Sequence, residues 1–312
     1  MIRATLAMLV YNQLELLEEA TQACFNQCCE PIEILISDDC STDGSYERLI
    51  ELASNYKGPH HVRVRQNKTN LGIGEHVNRV VIESQGELIV CAAGDDISHP
   101  DRVARLLSTW DSSHQKLDLI ASHVIDMDFG GQQLGEIRVA DLALWDSPAK
   151  WTRKRPYVIG ASHAFTKRMH LFFGPFNPDL VEEDQVLALR ATCMGGGQTV
   201  DAALVCYRRG GISRKNQNHD HSDEAVRQLI QKKFSRQAAL YSQIQKDLER
   251  SGHSALWRGK VRRNLMRAEL VLRLLKVRSK STIFKMALQH QGAGFFWAMK
   301  YAAYLVWPWL KK

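Results

Sequence analysis

The chain has 312 residues, of which 45% are hydrophobic and 24% are charged, and its formal net charge is +7. A chain of this length and composition can bury a full core, and it fits one large domain with an appendage. It contains no collagen-like period, internal repeat or low-complexity segment, which excludes fibrous, solenoid and low-complexity proteins.

The positive charge is concentrated at the carboxyl end of the chain. Residues 251–312 contain 13 Lys and Arg against one acidic residue, a net charge of +12, which leaves −5 for residues 1–250. A basic segment of this kind favours an anionic partner, either a membrane surface or a nucleic acid.

The first residues and the cysteines both predict a cytoplasmic protein. The N-terminus lacks a basic region followed by a long apolar run, so we expect no secretory signal. The seven cysteines are odd in number and lie mostly in apolar patterns instead of paired CxxC motifs. This usage indicates reduced thiols and argues against a zinc site.

The first hundred residues alternate between predicted strands and helices. Short apolar runs predict strands at residues 5–10, 32–36, 62–64 and 88–93. Helical spacing of apolar residues predicts helices at 13–27, capped by Asn12, at 46–56, and from the turn at Asn70 through residue 82. The alternation predicts an α/β fold with a mainly parallel central sheet flanked by helices.

Two polar turns with paired carboxylates follow the second and fourth predicted strands. They contain Asp38-Asp39 and Asp95-Asp96. Because the carboxyl ends of parallel strands meet at one edge of a sheet, we expect both pairs where α/β proteins bind ligands. Adjacent carboxylates at the protein surface can hold a divalent cation, which offsets their repulsion. The alternative for the second pair is a helix cap, formed by Asp96 or Ser98 before a helix that Pro100 opens.

Two common nucleotide-binding folds lack their signatures in this chain. A Rossmann fold needs a GxGxxG turn after its first strand, and residues 11–13 are Tyr-Asn-Gln. The Walker phosphate loop is missing too. Both absences favour a different kind of α/β protein.

The second half of the chain continues this pattern and then becomes helical. We predict a helix at 102–114, a strand at 117–125, a hairpin turn at Gly130-Gly131 and an irregular stretch at 139–156. A helix then follows Glu183-Asp184, and a strand at 198–207 leads into the basic segment 208–215. The final predicted elements are amphipathic helices at 222–250 and 257–277. We therefore place a domain boundary between residues 215 and 216.

Residues 294–312 are apolar, rich in aromatic side chains and closed by two lysines. The segment is short for a bilayer span, and inserting Lys300 near the bilayer centre would cost about 2.5 to 3.5 kcal/mol. A helix lying at a membrane surface fits the aromatic content and the basic neighbourhood better. Packing in a protein core or a dimer contact is the alternative.

The order of the polar motifs resembles that of the family 2 glycosyltransferases. In chain order the motifs are Val10-Tyr11-Asn12, the turn from Ser37 to Ser45, Asn70-Leu71-Gly72, Gly94-Asp95-Asp96 with Pro100-Asp101-Arg102, and Glu183-Asp184. The set spans about residues 2 to 215 and is far more specific than any one motif. The resemblance implies the A-type glycosyltransferase fold, here followed by a C-terminal helical extension. It also implies inverting transfer of a sugar from a nucleotide-diphosphate-sugar to a hydroxyl acceptor.

Roles for individual residues follow from the same resemblance. It implies nucleobase contacts by Tyr11 and Asp39, a metal ligand for Mg²⁺ or Mn²⁺ in Asp96, and a catalytic base in Asp184. A carboxylate accepts the imide N–H of uracil or thymine, so a UDP- or dTDP-sugar is the expected donor. The remaining expected donor contacts are Asn12, Asn70, Gly72 and Asp95, together with Arg208 and Arg214 of a basic segment that would fold over the diphosphate. His219 or His221 would help bind the metal or the diphosphate, or lie in a solvated polar loop.

One departure from the family pattern concerns the metal turn. Many members have a further Asp where this chain has Ala93. The expected contact of Asp95 with the ribose or a bridging water is therefore the weaker of the two assignments in this turn. His163 lies in a small-residue turn that resembles the one under the donor sugar, and it would contact substrate or be structural.

The resemblance also implies a setting in bacterial polysaccharide or lipopolysaccharide assembly. The acceptor would be a glycan or a lipid-linked precursor, and the basic C-terminal region would bind the anionic inner face of the cell membrane. Trp145 and Trp151 would face this acceptor or fill the core. No nucleic-acid partner is expected, and a homodimer is compatible with the sequence.

Two other functional classes stay open. A non-catalytic member could bind nucleotide-sugar or dock a partner enzyme, as the missing acid at Ala93 suggests. A sugar-phosphate nucleotidyltransferase shares the αβ sheet and the metal, but it usually needs a Gly-rich loop after its first strand. Residues 11–13 offer no such loop.

Overall fold

The computed structural model describes residues 2–209, 223–277, 279–288, 296 and 299–303. Contacts within the chain divide it into two compact units. The first, here termed the sheet unit, comprises residues 1–178 and 182–216. The second, termed the helical unit, comprises residues 179–181 and 217–312.

The described part of the sheet unit forms one nine-stranded sheet. Its strands are β1 (Ala4–Val10), β2 (Glu33–Asp38), β3 (His61–Gln66), β4 (Leu88–Ala93), β5 (Ile97–Ser98), β6 (Leu119–Met127), β7 (Gln133–Ile137), β8 (Ala164–Thr166) and β9 (Gly197–Arg208). The spatial order is β3-β2-β1-β4-β8-β6-β9-β5, and β7 pairs with β6.

The predicted parallel arrangement is confirmed for β3, β2, β1 and β4. Beyond β4 the sheet is mixed, because β8 lies antiparallel between β4 and β6, and β5 pairs antiparallel with β9. All six residues of β2 are buried. A strand covered on both faces favours apolar residues on both faces, which explains the continuous run Ile34-Leu35-Ile36 between the polar ends of β2.

Helices cover this sheet with apolar faces. In the sheet unit they are α1 (Leu17–Phe25), α2 (Ser45–Ser54), α3 (Gly72–Glu83), α4 (Arg102–Ser112), α5 (Pro148–Arg153), α6 (Lys167–Phe173) and α7 (Glu183–Thr192), with 3-10 turns at Leu142–Leu144 and Gly160–Ser162. Leu17 of α1, Leu49 of α2 and Trp110 of α4 belong to one core cluster with Leu6 and Ile34 of the sheet. The core therefore fixes the strand ends that carry the polar turns.

Three local predictions were wrong. Helix α1 begins at Leu17, and Asn12 does not cap it but joins two loops: its Oδ1 accepts from the Thr42 N–H at 2.8 Å. The capping alternative for the second acidic turn also fails, since Ser98 lies in β5 and α4 begins only at Arg102. The stretch 139–156 is not wholly irregular, because Pro148 opens the short helix α5.

The helical unit is built on α8 (Asp223–Arg250), α9 (Lys260–Leu275) and α10 (Lys280–Leu288), with a 3-10 turn at Ser254–Arg258. Its core includes Phe234 of α8 and Val271 of α9, together with Tyr301 and Ala302. The Arg267 guanidinium lies 5.4 Å from the Tyr301 ring and donates to the Tyr301 hydroxyl at 2.6 Å. Packing in a protein core is therefore what the structure shows for Tyr301 and Ala302 of the tail.

Most of the predicted membrane-surface segment, 294–312, lies outside the described residues. Phe296 is described and is 75% exposed. Across the helices that the structure describes, none has both the length and the apolar character required to cross a membrane.

Candidate active site

Three predicted site loops leave the sheet at the same edge. Parallel pairing aligns Val10 with Asp38 and Leu9 with Ala93. The Asp39 N–H donates to the Val10 carbonyl at 2.9 Å, and the Gly94 N–H donates to the Leu9 carbonyl at 3.0 Å. The turns after β1, β2 and β4 therefore start side by side, as the sequence predicts.

The two acids of the turn after β2 have different environments. Asp38 is fully buried, and its Oδ1 accepts from the Ser41 N–H at 2.9 Å, which closes the turn. Asp39 Oδ1 accepts from the Asn67 amide at 2.7 Å and from the Leu71 N–H at 2.9 Å. Its Oδ2 accepts from the Gly72 N–H at 3.0 Å. A carboxylate offers about four acceptor positions, so Asp39 keeps capacity for one further donor.

The remaining nucleobase-side predictions surround Asp39. Gly72 has a φ of +74°, a backbone conformation that glycine adopts without strain, and it opens α3. The exposed Asn70 accepts from the Gly72 N–H through its Oδ1 at 3.1 Å. Tyr11 is partly exposed at the end of β1. These residues are brought to one place, while their contact with a nucleotide stays a prediction.

The acidic turn after β4 is more buried than the sequence predicts. Asp96 is only 6% exposed, whereas a surface turn was expected. Burial, and then the charge of Asp95, raise the pKa of Asp96 to about 7. Burial also raises the pKa of Asp95. A side chain at Gly94 would require Gln13 to move, since a Cβ there would lie 2.5 Å from Gln13 Oε1.

The chemistry of this pair fits a divalent cation. Two close carboxylates whose ionisation is opposed by burial would gain from a cation between them, and their oxygens are ligands that Mg²⁺ and Mn²⁺ prefer. Among the residues described, no group of three or more His, Cys, Asp or Glu could hold a metal. The protein would therefore supply few ligands and leave the others to water and substrate oxygens, as is usual for Mg²⁺.

Arg208 lies at the end of β9 and contacts this turn directly. Its backbone N–H donates to Asp96 Oδ1 at 2.9 Å, and its Nε donates to the Asp95 carbonyl at 3.0 Å. The guanidinium also donates to the Phe129 carbonyl at 2.7 Å and pairs with Glu19 at 2.8 Å. The sequence predicted a diphosphate contact here. Arg214, in the basic segment that follows, and both His219 and His221 beyond that segment lie outside the described residues.

Asp184 lies in the first turn of α7, where it accepts from the Gln185 N–H at 2.7 Å. Burial raises the pKa of Asp184 to about 6. Its neighbour Glu183 has a pKa raised by burial to about 8. A Cβ at Gly160 would lie 3.2 Å from Glu183 Oε1 and 3.4 Å from Asp184 Cβ, so the small-residue turn sits against both acids.

Tyr207 is the residue that sequence reasoning missed. It lies partly buried on β9 next to Arg208. Burial raises the pKa of Tyr207, and the charges of Asp96, Asp95 and Asp184 raise it further. The Arg102 guanidinium links the two predicted elements, because it donates to the Cys91 carbonyl of β4 and to the Ala161 carbonyl of the turn that lies against Asp184, each at 2.6 Å. The available signal was the position of Tyr207 at the end of a predicted strand.

Burial assigns Trp151 and His163 to the interior, while Trp145 stays partly exposed and its contact with an acceptor stays a prediction. Trp151 is 1% exposed and belongs to the core. Trp145 is partly exposed, and its indole N–H donates to the Lys154 carbonyl at 2.7 Å. His163 is fully buried, and burial lowers its pKa to about 3. It is therefore neutral and belongs to the packing beneath the site.

Residues 5–171 match the family described as Glycosyl transferase family 2. The chain belongs to this family. Among similar proteins, the putative glycosyltransferase EpsE of Bacillus subtilis is 25% identical over 126 residues, which are 40% of this chain and 44% of EpsE. An undecaprenyl-phosphate 4-deoxy-4-formamido-L-arabinose transferase of Yersinia enterocolitica is 28% identical over 41% of this chain and 39% of that protein. The matches thus span less than half of either relative.

Solved structures show the same fold. S. aureus TarS 1–349 in complex with UDP matches with a TM-score of 0.56 and 14% identity, over 100% of this chain and 92% of that one. A mannosyltransferase from Pyrobaculum calidifontis, in complex with GDP-Man and Mn²⁺, matches with a TM-score of 0.53 and 15% identity, over 99% and 86% of the two chains. The predicted A-type glycosyltransferase fold is confirmed for this member of family 2.

Proposed function

We propose that the protein is an inverting, metal-dependent glycosyltransferase that uses a nucleotide-diphosphate-sugar donor and a hydroxyl acceptor. The observation that carries this proposal is that the turns with Asp39 and Asp95-Asp96 leave one edge of the sheet, while the small-residue turn against Asp184 is held to β4 by Arg102. Asp39 offers a hydrogen-bond acceptor for the nucleobase, Asp95 and Asp96 offer carboxylate ligands for a cation, and Asp184 is a carboxylate whose pKa is raised. Family membership supports the same assignment.

The reaction would be a single displacement. Asp184 takes the proton of the acceptor hydroxyl while the acceptor oxygen forms a bond to the anomeric carbon of the donor. The bond from that carbon to the diphosphate oxygen breaks, and its electron pair leaves with the nucleoside diphosphate. Attack from the side opposite the leaving group inverts the anomeric configuration. A cation held by Asp96, with Asp95 beside it, would offset the charge that develops on the diphosphate.

The donor would be recognised through Asp39. Its Oδ2 has one donor, Gly72 N–H, among the described residues, and it can accept the imide N–H of uracil or thymine. UDP- and dTDP-sugars carry that group. Incubating the protein with a panel of UDP-, dTDP- and GDP-sugars, with Mn²⁺ or with EDTA, tests the proposal. Mn²⁺-dependent release of UDP or dTDP is expected, and no release from any donor would contradict it.

The rate of transfer should rise with pH through about 6. Burial raises the pKa of Asp184 to about 6, and a base acts only when it is deprotonated. Below that pH, kcat should fall about tenfold per pH unit, and above it kcat should level off. Initial rates at saturating donor, measured from about pH 4.5 to 9, check this. A midpoint near 8 would instead indicate Glu183, whose pKa is raised to about 8.

The acceptor is proposed to be a lipid-linked or cell-surface glycan precursor. The support is the likeness to a Yersinia protein named as an undecaprenyl-phosphate transferase. Helix α9 and its C-cap add an exposed, mainly basic face: Arg262, Arg263, Arg273 and Lys276 are exposed, with the exposed Glu269 and the 55% exposed Met266 between them. Basic side chains near an anionic bilayer contribute about 1 kcal/mol each. We therefore propose that α9 helps the protein bind the anionic membrane surface.

Reversing two charges on α9 should weaken membrane binding. In Arg263→Glu with Arg273→Glu, cosedimentation with anionic liposomes should fall at least about tenfold, and raising the salt should remove the difference. The matched control is Arg79→Glu with Arg105→Glu, which makes the same charge change at exposed positions of the sheet unit. Equal binding by both double variants would show that net charge, not α9, is responsible. Absence of binding by the unaltered protein at low salt would contradict the membrane proposal.

A further inference from the structure

Arg208 is a buried cation whose contacts all lie around the Asp95-Asp96 turn. Its side chain is 3% exposed. Three of its nitrogens donate to different segments: Nε to the Asp95 carbonyl, Nη1 to the Phe129 carbonyl and Nη2 to Glu19 of α1. A guanidinium that is already held by several fixed partners loses little conformational entropy when another group binds nearby. The Arg208 side chain can therefore act as a rigid support.

The same residue holds both acids of the turn. Its backbone N–H fixes Asp96 Oδ1, and its side chain fixes the backbone of Asp95. Among the described residues, Asp96 Oδ2 has no hydrogen-bond donor, so this oxygen remains available as a ligand.

Strand pairing explains why Arg208 can reach the turn. Ile97 of β5 pairs with Cys206 of β9, so the residue that follows Asp96 is anchored two positions before Arg208. The Phe129 carbonyl belongs to the loop after β6, and β6 also pairs with β9, Met127 lying opposite Arg208. The guanidinium thus connects the acidic turn to two neighbouring segments of the sheet unit.

We propose that Arg208 is a positioning residue that preforms the divalent-cation site, and that it does not contact the donor diphosphate. This inference rests on the proposed function. It replaces the diphosphate role that the sequence suggested for Arg208. Groups that orient metal ligands from behind typically change metal affinity by about 10- to 100-fold when they are altered.

Mn²⁺ binding in the presence of UDP tests the inference without an activity assay. The Kd for Mn²⁺, measured from the electron paramagnetic resonance signal of free Mn²⁺, should rise about 10- to 100-fold in Arg208→Lys. Lysine keeps the positive charge but lacks the planar guanidinium that donates to three segments at once. At saturating Mn²⁺, the Kd for UDP should stay within about threefold of the unaltered protein. The matched control is Arg209→Lys, since Arg209 is exposed, pairs with Asp126 and does not touch the turn.

The outcomes separate the inference from the proposed function. If the unaltered protein binds Mn²⁺ with UDP and Arg208→Lys binds it equally well, the inference is overturned and the function stands. Weaker UDP binding by Arg208→Lys without metal would show a diphosphate contact and would also overturn it. If the unaltered protein binds no Mn²⁺ with any nucleotide, the metal-dependent function fails as well.

If circular dichroism shows that Arg208→Lys does not fold, a second variant tests the positioning role of Arg208. Glu19 is 65% exposed, so Glu19→Gln should fold normally while it removes the ionic partner that orients the guanidinium. Its Kd for Mn²⁺ should rise by about two- to fivefold at low salt, in line with the small energies of exposed ion pairs. An unchanged Kd would overturn the inference.

Discussion

Asp96→Asn is expected to abolish metal-supported donor binding without unfolding the protein. Asparagine keeps an oxygen that can accept the Arg208 N–H, which lies 2.9 Å from Asp96 Oδ1, but a neutral amide binds a hard cation more weakly than a carboxylate does. Because a bound metal contributes several kcal/mol to the stabilisation of a transition state, Mn²⁺-dependent turnover should fall by about 10³-fold or more. The measurements are turnover against Mn²⁺ concentration and the Kd for UDP with and without Mn²⁺.

The thermal stability of the same variant provides a second readout. Asp96 is buried beside Asp95, and its raised pKa shows that the folded protein disfavours its charge. Removing that charge should leave the Tm unchanged or higher at neutral pH. Asp101→Asn is the matched control, since Asp101 precedes α4 and its side chain makes no capping hydrogen bond. Turnover and Mn²⁺ dependence like those of the unaltered protein in Asp96→Asn would exclude Asp96 as the ligand.

Asp184→Asn should separate donor binding from transfer. The asparagine oxygen can still accept the Gln185 N–H, so the first turn of α7 should be retained and donor affinity should change only a few-fold. Transfer should fall by about 10² to 10⁴, the usual contribution of a general base. Single-turnover rates with a saturating donor, together with calorimetric Kd values for UDP, give the two quantities.

The neighbouring acids provide the controls for this base. Glu182 pairs with Arg155 at 3.2 Å, so Glu182→Gln should affect transfer much less than Asp184→Asn. Glu183 has a pKa of about 8 and is mainly protonated at neutral pH, so Glu183→Gln should also transfer sugar well. Near-normal transfer by Asp184→Asn, with a large loss in Glu183→Gln, would assign the base to Glu183.

The parts of the fold that the sequence predicted share one physical origin. Strands β1, β2 and β4 are covered on both faces, so they appear as continuous apolar runs, and each ends at a polar turn. Parallel pairing then places those turns at one edge without further information. This is why Asp39 and Asp96 could be located before the structure was known.

Other features could not be predicted because the deciding contacts are distant in sequence. Strand β5 has two residues and β8 has three, too few to show a period. The support of the acidic turn by Arg208 depends on the pairing of β9 with β5. An asparagine side chain can either cap a helix or accept a hydrogen bond from a neighbouring loop. For Asn12 the choice depends on Thr42, which is distant in sequence and donates its N–H to Asn12 Oδ1.

A crystal structure of the protein with UDP and Mn²⁺ tests the central claim most directly. We expect Mn²⁺ to bind at Asp96, the uracil imide N–H to donate to Asp39, and Asp184 to lie near the diphosphate without touching the metal. UDP bound away from the turns that follow β1, β2 and β4, or Mn²⁺ held without Asp96, would contradict it.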